Sequence, residues 1–128
     1  MNILLAEDNL VNQQVTKAML VQLGHTVSVV ADGKQCVKVL SQAKFDLLLL
    51  DVMMPHKDGV TTLKEIRSQP VAGTQRLPVI MLTGHASTDN EPGWRAMGAD
   101  ACLCKPVNRI ALEKAIAPWM LTLTDPLS

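Results

Sequence analysis

Five short runs rich in Val, Ile and Leu alternate along this chain with amphipathic stretches, and that alternation limits the fold more than any other feature. The runs are Asn2–Ala6, Thr26–Ala31, Phe45–Leu50, Leu77–Leu82 and Ala101–Cys104. Each is only four to six residues long and shows little polar alternation. Strands buried on both faces read this way, and such strands belong to parallel sheets covered by helices. The segments between them carry helical spacing. Val11, Val15, Ala18, Met19 and Leu23 repeat at that spacing, with Gly24 as a stop. Cys36, Val37, Leu40 and Ala43 follow Asp32-Gly33, and Val60, Leu63 and Ile66 follow Asp58-Gly59. Ile110, Ala115 and Ile116 follow Asn108, a good N-cap, and Pro118 is expected to close that helix. The segment near Trp94–Met97 is interrupted by Pro92-Gly93, so a short helix is expected to start at or just before Pro92.

Strand then helix, repeated five times, implies an α/β fold with helices on both faces of a parallel sheet, because crossovers between parallel strands are right-handed. The chain has 128 residues, 48% of them apolar, which suits one domain with a proper core. Residues 1–120 are read as that domain and 121–128 as a C-terminal tail. The 12 basic and 12 acidic residues balance, and aromatics are only 2%, so neither a nucleic-acid footprint nor a base-stacking platform is expected. The apolar run around Phe45–Met54 is too short to span a bilayer and contains two aspartates. Three cysteines without framework spacing, and no signal-like N-terminus, suggest a reducing cytoplasmic setting.

In such folds ligands sit beyond the carboxyl ends of the strands, where strand order reverses. The first run is followed by Glu7-Asp8, the third by Asp51, the fourth by Thr83 and the fifth by Lys105. If the order is 2-1-3-4-5, the reversal lies between the first and third strands, where Glu7, Asp8 and Asp51 emerge. Each group alone has a plain explanation as a turn residue, a helix-dipole complement or a solvated charge. Their joint placement on one rim carries the argument. Three adjacent carboxylates repel, and a hard cation such as Mg²⁺ relieves that conflict. A metal beside a carboxylate, with an amine and a hydroxyl opposite, suits phosphoryl transfer onto an Asp oxygen. A flavin carrier of similar fold would need a phosphate loop after the first strand, where this chain has Glu-Asp-Asn. An aspartyl-phosphate phosphatase would want a second Asp two residues past the nucleophile, where this chain has Met53.

The stretches Ile3-Leu4-Leu5-Ala6-Glu7-Asp8-Asn9, Leu50-Asp51-Val52-Met53-Met54-Pro55 with Asp58-Gly59, Met81-Leu82-Thr83-Gly84, Gly98-Ala99-Asp100 and Lys105-Pro106 resemble the response-regulator receiver domain of two-component signalling. Glu7-Asp8-Asn9-Leu10-Val11-Asn12-Gln13 is similar in particular to receivers of hybrid sensor histidine kinases. The resemblance covers Asn2 to about Pro118. It implies the doubly wound, flavodoxin-like (βα)5 fold with sheet order 2-1-3-4-5. It implies Asp51 as phosphoacceptor, with Mg²⁺ held by Asp8, Asp51, Glu7 through a water, and the backbone carbonyl of Met53. It further implies that Lys105 pairs with the phosphoryl group, that Thr83 turns toward it, and that the Gly84 N–H contacts it. The Lys105-Pro106 bond is expected to be cis. The implied partner is a histidine kinase or a histidine phosphotransfer domain, and a hybrid kinase is one reading of the parent. The chain is then a signalling module and not an enzyme with a separate substrate, although it speeds its own phosphorylation and dephosphorylation. Where the family often carries Tyr or Phe in the last strand, this chain has Cys102, so the expected switch region is Thr83, His85 and Cys102 without an aromatic flip. Cys102 and Cys104 share one strand face and are expected to pack in the core. His25, His56 and His85 lie apart, with no metal-ligand spacing.

Overall fold

The computed structural model describes residues 1–52, 59–68, 77–84, 96, 98–105 and 107–124, the last five of these by backbone only. Its elements are β1 (Asn2–Ala6), α1 (Leu10–Gln22), β2 (Thr26–Val30), α2 (Gly33–Gln42), β3 (Leu47–Asp51), α3 (Gly59–Ser68), β4 (Val79–Thr83), β5 (Ala101–Cys104) and α4 (Arg109–Thr124). The five strands form one sheet in the order β2-β1-β3-β4-β5, and every pairing is parallel. The α/β, flavodoxin-like arrangement is therefore the one expected. The expected helix start at Pro92, the Lys105-Pro106 bond, Met53, His56, His85 and Trp94 lie outside the described residues.

Side chains alternate across the sheet with period two. Leu4, Leu48, Leu50 and Met81 face one way, onto Cys36 of α2 and Leu63 and Ile66 of α3. Ile3, Leu5, Leu49, Ile80 and Leu82 face the other way, onto Leu20 of α1 and Leu112 and Ile116 of α4. β1, β3 and β4 are covered on both sides and apart from the first residue of β1 are buried throughout. β2 lies at the sheet edge, and its Thr26 and Ser28 are exposed, so double-sided burial does not extend to it.

The helix starts follow local chemistry. Asn9, Asp32 and Asn108 each accept a backbone N–H three residues on, which satisfies a donor that the first turn leaves open. Gly24 follows α1 with φ +93°, a conformation that glycine takes without steric cost.

Some of the expected faces and bounds need correction. The apolar repeat of α1 is split: Met19 and Leu23 pack against the core, whereas Val11 and Val15 are 66% and 51% exposed and the buried side is completed by Thr16 and Leu20. The helix is apolar on two sides, and the sheet takes the side bearing Leu20. Ile110 is likewise exposed, while Ala115 and Ile116 of the same repeat face the sheet together with Leu112. Pro118 does not end α4, which runs on to Thr124, so residues 121–124 of the expected tail are helical. Pro118 and Lys114, one turn earlier, are both on the exposed side, where water can serve a carbonyl that a proline N–H cannot. Finally, β3 and β4 begin two residues later than expected and end on Asp51 and Thr83 themselves, because the ladder extends to the Asp51–Leu82 pair.

Candidate functional site

Every strand but β2 delivers a polar residue to the same rim. Glu7 follows β1 and is buried, Asp51 ends β3 and is buried, and Asp8 is exposed beside them. One carboxylate oxygen from each of the three lies within 4.8 Å of the others. This is the cluster expected from the sequence. The donors are all oxygens, which suits a hard cation such as Mg²⁺ rather than a metal that favours nitrogen or sulfur.

Lys105, just past β5, reaches across the rim. Its Nζ lies 2.5 Å from Asp51 Oδ2 and 2.8 Å from Glu7 Oε2. The backbone N–H of Lys105 donates to the carbonyl of Thr83 at 2.7 Å, which anchors the stem of the lysine to the end of β4. Burial alone would lower the pKa of this ammonium, but hydrogen bonds and charge from Asp51 and Glu7 outweigh it and hold the pKa above its ordinary value. Glu7 shows the reverse balance. Burial raises its pKa, Lys105 and the Asn9 N–H oppose the rise, and the neighbouring Asp51 adds to it. Glu7 also anchors the turn, since its Oε1 accepts from the Asn9 N–H at 3.1 Å.

Thr83 is buried at the end of β4, one residue beyond the Leu82 that pairs with Asp51. The Gly84 after it is exposed, and a Cβ added there would meet nothing within 4 Å, so the space beside it is open. Cys102 is half-buried and packs against the cluster that holds Leu50 and Met81. Cys104 is exposed, so core packing describes only one of the pair. His25 is buried just before β2, at the end of the sheet opposite the rim, and burial lowers its pKa.

Sequence reasoning missed two side chains near this region. Gln13 in α1 donates from Nε2 to the carbonyl of Glu7. Arg67 in the last turn of α3 donates from Nε and Nη2 to the Gly98 carbonyl, at 3.0 and 2.8 Å, and from Nη2 to Asp100 Oδ2 at 3.2 Å. Asp100 Oδ2 in turn accepts the Val79 N–H, which joins α3, β4 and the turn before β5. A basic residue ending a helix reads as a dipole complement. The pairing with a turn 31 residues further on leaves no mark in local spacing.

The model of the response regulator receiver domain matches residues 3–117. Probable histidine kinase 1 of Oryza sativa subsp. indica is 33% identical over 92% of this chain, but the match covers 15% of that protein. The transcriptional regulatory protein CpxR of Escherichia coli is 42% identical over 83% of this chain and 43% of its own length. This chain thus spans only a small part of the histidine kinases it matches. Among solved structures, the receiver domain of a sensor histidine kinase from Pseudomonas aeruginosa PAO1, which holds a magnesium ion in its active-site cleft, superposes with a TM-score of 0.82. It is 38% identical, over 93% of this chain and 96% of that one.

Proposed function

We propose, since this chain belongs to the response regulator receiver domain family, that Asp51 takes a phosphoryl group from a phosphohistidine partner in a Mg²⁺-dependent step of a two-component phosphorelay. The observation that carries this reading is the position of Lys105 Nζ between Asp51 and Glu7, beside three clustered carboxylates. One Asp51 carboxylate oxygen forms the new P–O bond as the P–N bond of the donor breaks, and the imidazole leaves. Asp8 and Asp51 directly, and Glu7 through a water, would hold Mg²⁺, which would neutralise charge on the transferring group. Lys105 supplies a second positive charge from the opposite side. The Thr83 hydroxyl and the Gly84 N–H donate to phosphoryl oxygens, and the open space at Gly84 leaves room for them.

The partner is a histidine kinase or a histidine phosphotransfer domain, docking near α1. Support comes from the exposed apolar side of that helix, with Leu10, Val11 and Val15 outward, and from the groove where Val15 and Asn12 adjoin Lys105 and Glu7. No described helix is long and apolar enough to cross a membrane. The reading places the chain in the cytoplasm, as the receiver of a hybrid kinase or as a stand-alone module. It catalyses only its own phosphorylation and dephosphorylation. Phosphorylation then biases a two-state equilibrium through Thr83, His85 and the Cys102 neighbourhood.

Intact-mass measurement after incubation with acetyl phosphate tests the assignment. One phosphoryl adduct is expected, dependent on Mg²⁺ and missing in Asp51→Asn. An adduct that persists in that variant overturns it.

A further inference from the structure

The two carboxylates that follow β1 are held very differently. Glu7 is buried, with Asn9 and Lys105 on its two oxygens. Asp8 is exposed, and among the described residues its carboxylate accepts no hydrogen bond. The direction of Asp8 therefore depends on the backbone that carries it. That backbone is the peptide plane joining Glu7 to Asp8, and its oxygen is the Glu7 carbonyl. Gln13, half-buried on the first turn of α1, donates from Nε2 to this oxygen at 2.5 Å. Gln13 is itself fixed, because its own N–H donates to Asn9 O at 2.9 Å while Asn9 caps the helix. The preceding peptide is held as well, since the Glu7 N–H donates to the Val30 carbonyl at 3.0 Å.

We infer that Gln13 is a positioning residue for the metal site, fixing the Glu7–Asp8 peptide plane so that Asp8 meets the cation together with Asp51. The inference rests on the function proposed above. Pinning a carbonyl restricts the ψ of its own residue and the φ of the next, so the hydrogen bond sets where Asp8 lies relative to the already fixed Glu7. Outer contacts of this kind govern metal affinity because they set the direction of the ligands, not their number. The Gln13 amide nitrogen is directed at the Glu7 carbonyl, so the residue acts through Asp8.

The test is calorimetric titration of Mg²⁺ into the whole chain, with melting temperatures taken in its absence. Gln13→Met keeps the length of the side chain and removes the donor, and its Mg²⁺ affinity is expected to fall about tenfold, the lower end of the effect of outer-shell changes. Its metal-free melting temperature is expected to stay close to that of the parent. Gln13→Lys keeps a donor of similar reach, and the exposed neighbour Gln14→Lys controls for the added charge. These two are expected to bind Mg²⁺ alike. Parental affinity in Gln13→Met overturns the inference, as does affinity equally weak in Gln13→Lys and Gln13→Met but not in Gln14→Lys. Asp8→Ala separates the two levels of argument. Lost Mg²⁺ binding there, with parental affinity in Gln13→Met, removes only the role of Gln13. Parental binding in Asp8→Ala removes the metal-site reading itself.

Discussion

Gly59, the first residue of α3, lies directly against the backbone carbonyl of Asp51, and no Cβ fits between them. The Gly59 N–H donates to the Val52 carbonyl at 2.9 Å, which ties the helix start to the chain just past β3. A methyl group at position 59 must displace either the helix or the rim backbone. Gly59→Ala is therefore expected to lose about 1–3 kcal/mol of stability, the usual cost of overpacking. It should also slow acetyl-phosphate labelling of Asp51 in the folded fraction. Urea unfolding and intact mass, run on the same sample, check both. A variant with parental stability would show that α3 can shift freely.

The raised pKa of Glu7 has a defined pH signature. The folded state holds this proton more tightly than the unfolded state. Stability in the absence of metal should thus fall as pH rises from the ordinary value of 4.5 through the folded pKa. Mg²⁺ needs the ionised carboxylate, so its affinity should rise over the same window. Glu7→Gln is expected to flatten both dependences. Denaturant titrations across the acid range measure the first, and calorimetry measures the second. An unchanged slope in Glu7→Gln would assign the titration to another group.

Lys105→Ala should impair labelling of Asp51 while leaving the protein folded, because the lysine is held by charge at the rim and not by core packing. The same variant removes what opposes the rise of the Glu7 pKa, so its Mg²⁺ binding should shift to higher pH. Circular dichroism and labelling kinetics distinguish this from simple unfolding. Normal labelling would make the lysine structural.

Arg67→Ala breaks the bridge from α3 to Gly98 and Asp100. A loss of about 1.5–3 kcal/mol is expected, the range for hydrogen bonds that involve a charged group. Arg67→Lys should recover little, because a lysine cannot present the same planar fork. Urea midpoints decide this, and full recovery by Lys would reduce the contact to charge alone.

The thiols should separate by accessibility. Burial pushes the Cys36 thiol up to about 12, with Asp32 adding to the rise, whereas Cys104 is exposed. Brief native alkylation followed by peptide mass analysis should find Cys104 modified and Cys36 intact. Modification of Cys36 at native pH would mean that α2 opens readily.

Much of this protein was legible in the order of its residues. Five apolar runs spaced by helical segments dictate a parallel α/β sheet, because a short strand buried on both faces needs helices above and below it. The rim groups Glu7, Asp8, Asp51, Thr83 and Lys105 were readable because each sits at or just past the end of a strand, and parallel strands put all such ends on one side. The Asn108 cap was readable for the same local reason, a side-chain oxygen three residues before an open N–H. Tertiary structure alone decided which side of α1 meets the sheet, since Val11 and Leu20 are equally apolar and periodicity cannot rank two apolar faces. It also decided that α4 continues past Pro118, because the cost of a helical proline depends on whether water reaches the turn before it. The buried proton affinity of Glu7, the two-carboxylate reach of Lys105, the Gln13 contact and the Arg67 bridge are likewise products of packing. Each depends on distances between groups far apart in the chain or on opposite sides of a turn, and those distances exist only once the sheet and its helices have closed around them.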